Sequence, residues 1–131
     1  MTETRVRYAE TDQMGVAYHA NYLVWCEMGR TDFIREHFKS YADVERDGVR
    51  LAVADAQVRY LAPARYDEII RIETRLADVR SRAVAFEYTI TRPADDVRLA
   101  TARTVLVSVD GAQRPVAMPA ELRGRLAAAS E

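Results

Sequence analysis

Asp12, Gly15 and His19 stand close together in ETDQMGVAYHANYLVWCE, residues 10–27, and an apolar stretch with helical spacing follows at once. A plain connector has no need of a carboxylate, a glycine and an imidazole in so short a space. An aspartate in such a loop has two ways to act on a carbonyl carbon: as a nucleophile it forms a mixed anhydride, and as a general base it takes a proton from water. The residue types leave both open. The first turn of a helix carries unpaired N–H groups and a partial positive charge, which stabilise an oxyanion forming beside them. Gly15 lets the loop turn tightly and brings substrate close to the backbone. Asn21 is placed to cap or orient the helix start. Each residue also has a plainer reading: Asp12 as a turn or capping residue, and His19 as a structural hydrogen-bonding histidine; in the functional reading the His19 backbone N–H matters more than its ring.

Other chemistry is narrower. Cys26 is the single cysteine, so no internal disulfide and no multi-cysteine zinc site is available. It falls on an apolar helix face with no base one turn away, and reads as an inert buried thiol. Two histidines, His19 and His37, are too few for a purely histidine-based metal site. Glu27 is a secondary acidic candidate; its plainer reading is a solvated or ion-paired helix residue. Glu10 and Thr11 read as structural, with Thr11 bonding within the loop. The net charge of −1 argues against electrostatically driven binding to nucleic acid or a membrane surface. No signal-like segment opens the chain, and no apolar run approaches the roughly 20 residues of a membrane span. The expected location is cytoplasmic. With 49% hydrophobic and 30% charged residues, the chain can bury a core, and residues 1–131 read as one domain.

The elements that must position these residues follow from periodicity. RVRY, residues 5–8, alternates and predicts a first strand, with residues 9–19 as a loop. From Ala20 to about Phe38, Tyr22, Cys26, Gly29 and Phe33 recur at helical spacing. Gly29 weakens such a helix and suggests that another element approaches closely. A short helix is expected over Tyr41–Arg46, ending at Gly48. The period then becomes two in LAVADAQVRYL, EIIRIETRLADV, RAVAFEYTI and residues 97–109. In the first of these Ala52, Ala54, Ala56, Val58 and Tyr60 share a face; in the last the alternation runs through Leu99, Thr101, Arg103, Val105, Val107 and Val109. Four strands joined by turns make an antiparallel meander, with a final helix from Pro119. The result is an α+β chain whose five-stranded sheet must wrap a long helix to bury it, with an open edge that invites pairing to a second copy.

The run Y-x-E-T-D-Q-M-G-x-x-Y-H-x-N-Y, Tyr8 to Tyr22, resembles the signature of the 4-hydroxybenzoyl-CoA thioesterase family, which includes the thioesterases of the Tol-Pal cluster and has the hotdog fold. The strand–helix–four-strand order and the ending VAMPAELRGRL are similar too. The resemblance implies an acyl-CoA thioesterase that uses no metal or organic cofactor and works as a homodimer or homotetramer, with its site between subunits. It implies that Asp12 is the catalytic carboxylate and that the His19 backbone N–H, at the helix start, faces the thioester oxygen. Tyr8 and the His19 side chain would line the site, although Tyr8, as a strand residue, also reads as core. Gly15 would lie against the substrate. Arg80 and Arg82, between two strands, would hold coenzyme A phosphates if they are more than a solvated turn; Arg59 and Arg65 are weaker candidates. Two other readings stay open: a dehydratase or hydratase of the same fold using His19 with Glu27, and a non-catalytic acyl-thioester-binding module. Acyl chain length, aliphatic or aromatic character and a carrier-protein substrate all remain open as well.

Overall fold

The structure, a computed structural model, describes residues 1–130; Glu131, the last residue of the expected domain, lies outside them. In chain order the elements are β1 (Thr2–Arg5), α1 (Asn21–His37), α2 (Tyr41–Arg46), β2 (Arg50–Tyr60), β3 (Ile69–Val79), β4 (Ala83–Arg92), β5 (Val97–Val109) and α3 (Ala120–Ala129). The architecture is α+β: a five-stranded antiparallel sheet with strand order β1-β3-β4-β5-β2, and three helices. Among the described residues no helix is long and apolar enough to cross a membrane.

The meander is shorter than the alternation predicts. β3, β4 and β5 are consecutive neighbours, but β2 pairs with β5 at the far edge, and β1 takes the place beside β3. β1 also starts earlier than RVRY. It covers Thr2–Arg5 against Ile69–Ile72, and Val6 continues the pairing by donating to Glu68 and accepting from Asp67. The chain then leaves the sheet in a 3-10 turn, Tyr8–Glu10, because the Glu10 side chain takes the Arg7 N–H.

Two faces differ from the sequence pattern. On β5 the buried middle residues are Ala100, Ala102, Thr104 and Leu106, whereas Thr101, Arg103, Val105 and Val107 are only half-buried. The reason is volume. Opposite on β4 stand Ile90, Tyr88, Phe86 and Val84, and large side chains on one strand require smaller ones beside them at native packing density. The Tyr88 hydroxyl meets Thr104 Oγ1 at 2.7 Å within this layer. On β2 the register shifts between Val53 and Asp55. A bulge reverses the facing of everything before it, so Leu51 and Val53, not Ala52, share a face with Ala56, Val58 and Tyr60.

α1 buries Tyr22, Trp25, Cys26, Gly29 and Ile34, the stripe expected of a helix lying on a sheet. Gly29 faces β3, where a Cβ would come within 2.4 Å of Thr74 Oγ1 and 2.8 Å of Ile72 Cγ2. The helix is tied to β1 by a bond from Thr2 Oγ1 to Asp32 at 2.8 Å. β2, in contrast, is an open edge: apart from Leu51 and Val58 its residues are exposed. The outer face of the sheet is a shallow, charged concavity of about 820 Å³ lined by residues including Arg59, Glu73, Arg75, Glu87 and Arg103.

Candidate active site

The spacing Asp-x-x-Gly has a local cause. Thr11 and Ala17 face each other in an antiparallel bridge, the Asp12 N–H donates to Val16 C=O at 2.9 Å, and the Gly15 N–H donates to Asp12 C=O at 3.0 Å. This is a small hairpin whose three-residue tip ends on a glycine at φ +81°, the left-handed position such tips require. Asp12 Oδ1 accepts the Met14 N–H at 2.9 Å and holds the turn. The plain reading of Asp12 as a turn residue is therefore correct as far as it goes. It accounts for one carboxylate oxygen only: Oδ2 accepts no hydrogen bond among the described residues, and the side chain is half-exposed.

The hairpin leads directly into the helix start. The Ala17 N–H donates to Ala64 C=O at 2.7 Å and the Tyr18 N–H to Glu10 C=O at 2.8 Å. Helical turns then begin: Tyr18, His19 and Ala20 carbonyls accept from the Asn21, Tyr22 and Leu23 amides. The amides of His19 and Ala20 donate no hydrogen bond among the described residues. Ala20 is the cap, whose amide has no intrahelical acceptor, and His19 lies just ahead of it; both residues are exposed. Asn21 is not the cap: Ala20 occupies that position, and the Asn21 side-chain amide donates instead to Glu10 C=O at 2.8 Å.

The His19 ring is exposed and lies against Tyr18, 4.4 Å between centroids, with the edge of Tyr60 6.3 Å away. It makes no hydrogen bond among the described residues, so nothing fixes its tautomer. Its carbonyl, in contrast, accepts the Tyr60 hydroxyl at 2.9 Å. The backbone at His19 is held and the ring is not. Tyr60, which sequence reasoning treated as a strand residue, thus belongs to the surroundings of the site; only the pairing of β2 with β5 brings it there.

Tyr8 is not core. It is 78% exposed on the 3-10 turn before the hairpin, edge-on to Tyr66 at 5.5 Å. Its carbonyl accepts both the N–H and the hydroxyl of Thr11, at 3.1 and 2.7 Å, the loop bond expected of Thr11. Arg80 and Arg82 are not brought to Asp12 by the fold of the chain. The hairpin docks near Arg65, through its bridge to Val16, before β3 begins; the two arginines follow β3, and its 11 residues extend roughly 30 Å. Arg80 is exposed and paired with Asp78 at 2.9 Å, a contact that raises the arginine's pKa and lowers the aspartate's.

Glu27 is exposed on α1 and lines a groove of about 220 Å³ with Leu23, Val24, Arg30 and Val53, between the helix and β2. Cys26 is fully buried, and burial pushes its thiol up to about 12. A thiol that stays protonated is no nucleophile. Cys26→Ala is expected to retain kcat within about twofold, and the wild-type thiol to react with a disulfide reagent only on unfolding. A Cys26→Ala enzyme without turnover would return the thiol to the site.

The family model of the thioesterase-like superfamily matches residues 6–126. YneP of Bacillus subtilis is 42% identical over 97 residues, 74% of this chain and 70% of that protein. The acyl-CoA thioester hydrolase YbgC of Escherichia coli O6:H1 is 34% identical over 116 residues, 88% of this chain and 86% of that one. The crystal structure of a hypothetical protein, TT1821, from Thermus thermophilus superposes with a TM-score of 0.93 at 38% identity, covering 98% of this chain and 97% of that one. The thioesterase resemblance carried by Tyr8–Tyr22 is borne out along nearly the whole length, and the chain belongs to the thioesterase-like superfamily.

Proposed function

We propose that the protein hydrolyses acyl-CoA thioesters to a free carboxylic acid and coenzyme A, with Asp12 as general base or nucleophile and the His19 backbone N–H as oxyanion donor. The observation that supports this most is a pairing. Among the described residues, one carboxylate oxygen of half-exposed Asp12 accepts no hydrogen bond, and its hairpin leads into α1 past the His19 and Ala20 amides, which donate none. A thioester between them has an attacking or proton-accepting group on one side. On the other it has preorganised donors for the negative charge that develops on its oxygen. As a base, Asp12 takes a proton from water as the water oxygen bonds to the carbonyl carbon. The tetrahedral oxyanion collapses, the carbon–sulfur bond breaks and coenzyme A leaves. As a nucleophile, Asp12 displaces the thiolate itself, and water then cleaves the mixed anhydride. Neither route calls for a metal or organic cofactor. The exposed, untethered His19 ring weighs against the dehydratase reading, which needs an oriented imidazole.

The wider architecture in this reading is a single hotdog domain, residues 1–131, with the sheet curled about α1. A second copy would cover the open β2 edge and the exposed apolar side chains beside it, Leu23, Val24, Val53 and Leu61. The oligomer would be a homodimer or a homotetramer of such pairs. Arg80 and Arg82 would reach coenzyme A phosphates only across the boundary between copies. Free-thiol release from acetyl-, hexanoyl-, palmitoyl-, benzoyl- and phenylacetyl-CoA tests the reaction. Turnover of at least one ester is expected, and the best ester defines the acyl pocket. A folded protein that turns over none of them would be a binder, and the enzymatic reading would fall.

A further inference from the structure

We infer that Glu10 is a positioning residue: it holds the Asp12 hairpin against the start of α1 and so sets the placement of the carboxylate relative to the His19 and Ala20 amides. This rests on the site reading above. Glu10 is 5% exposed and is the one charged side chain among the buried described residues. Its Oε1 accepts the Arg7 N–H at 2.8 Å, and its Oε2 accepts the Trp25 indole N–H at 3.0 Å. Its own carbonyl accepts the Tyr18 N–H and the Asn21 side-chain amide, both at 2.8 Å. Among the described residues the one basic group within ion-pairing distance of the carboxylate is the Arg7 guanidinium, exposed and 3.5 Å away.

Four segments thus converge on one residue: the turn entering the loop, the far side of the hairpin, the first turn of α1 and the indole one turn further in. Asp12 lies two residues beyond Glu10, and the Thr11–Ala17 bridge makes the intervening backbone stiff. A displacement of Glu10 is therefore transmitted to Asp12, while Tyr18 and Asn21 anchor the helix side of the same joint. Burying a carboxylate is unfavourable unless all its bonds are made, and an apolar pair of similar volume often stabilises a fold as well or better. Departures of this kind from the cheapest packing concentrate at functional sites.

Glu10→Gln tests it. The amide keeps the shape but offers one acceptor oxygen to two donors and sets an NH₂ against the other. The expected result is a kcat lower by roughly tenfold or more, as for small misplacements of reacting groups, with KM within about twofold. Trp25 is the sole tryptophan, so its emission reports the loss of the indole bond directly and is expected to shift. Thermal unfolding is measured in parallel, and assays run well below the transition. A Glu10→Gln enzyme with wild-type kcat and only a lower Tm would show a residue of the fold alone and overturn the inference. Should that variant not fold, Asn21→Ala removes one bond from the same joint: a lower kcat at unchanged KM supports the inference, and an unchanged kcat defeats it. Asp12→Asn is run alongside. If it is active, the site reading itself falls and takes this inference with it; if it is inactive while Glu10→Gln is unimpaired, only this inference falls.

Discussion

Asp12→Asn is expected to lower kcat by about 10²–10⁴-fold, the range associated with a lost general base, or by more if the carboxylate is the nucleophile, because an amide oxygen forms no anhydride. The structure makes this substitution unusually clean. The Asn carbonyl oxygen can still accept the Met14 N–H that Oδ1 now accepts. The hairpin, the left-handed Gly15 and the bridge between Thr11 and Ala17 all survive. Thermal stability should stay near wild type, so that lost turnover reports chemistry rather than unfolding. KM should change little, because the thioester carbonyl gains its contact with the site chiefly in the transition state. Substantial turnover by a well-folded Asp12→Asn enzyme would leave Asp12 as a turn residue and nothing else.

Gly29→Ala is expected to destabilise the protein by about 2–3 kcal/mol, the cost of forcing an extra carbon into a filled core, which corresponds to roughly 7–10 °C in Tm for a chain of this size. Helix propensity alone predicts the reverse, since alanine is favoured over glycine by about 1 kcal/mol in a helix interior. Packing wins because the added methyl would lie 2.4 Å from Thr74 Oγ1 and 2.8 Å from Ile72 Cγ2. Relief requires both neighbours to move at once. Both are β-branched on β3, and Ile72 is fully buried and paired with β1 on one side and β4 on the other. Thermal unfolding of the two proteins decides it: an equal or higher Tm for Gly29→Ala would mean that α1 lifts off β3 at little cost.

The element types were legible because each rests on a periodicity that no tertiary contact reverses. The stripe Tyr22, Cys26, Gly29 and the alternation Ile70, Ile72, Thr74, Leu76 read the same in the sequence and in the structure. The structure places α2 over Tyr41–Arg46 as expected, and Gly48 just beyond it at φ +90°. The β1 boundary was not legible, because Val6 is core although it lies outside the strand. Its burial comes from backbone pairing with Asp67 and Glu68, more than sixty residues away in sequence. Nor was the facing of β5. Thr101, Arg103, Val105 and Val107 alternate no less regularly than Ala100, Ala102, Thr104 and Leu106, and alternation alone does not say which set points inward. The bulky residues of β4 say so.

The candidate site divides along the same line. Asp12, Gly15 and the exposed backbone at His19 are set by short-range chemistry: a left-handed glycine closes the hairpin, and an amide just ahead of a helix has no intrahelical acceptor. The sequence by itself determined these, together with the family to which the chain belongs. Only the tertiary structure decided that Glu10 is buried with its carboxylate on the Trp25 indole, that Tyr60 grips the His19 carbonyl, and that Arg80 and Arg82 lie a strand's length from Asp12. Those relations depend on strand order and register, which arise when volumes and backbone bonds are satisfied between segments far apart in the chain, and local spacing carries no record of them.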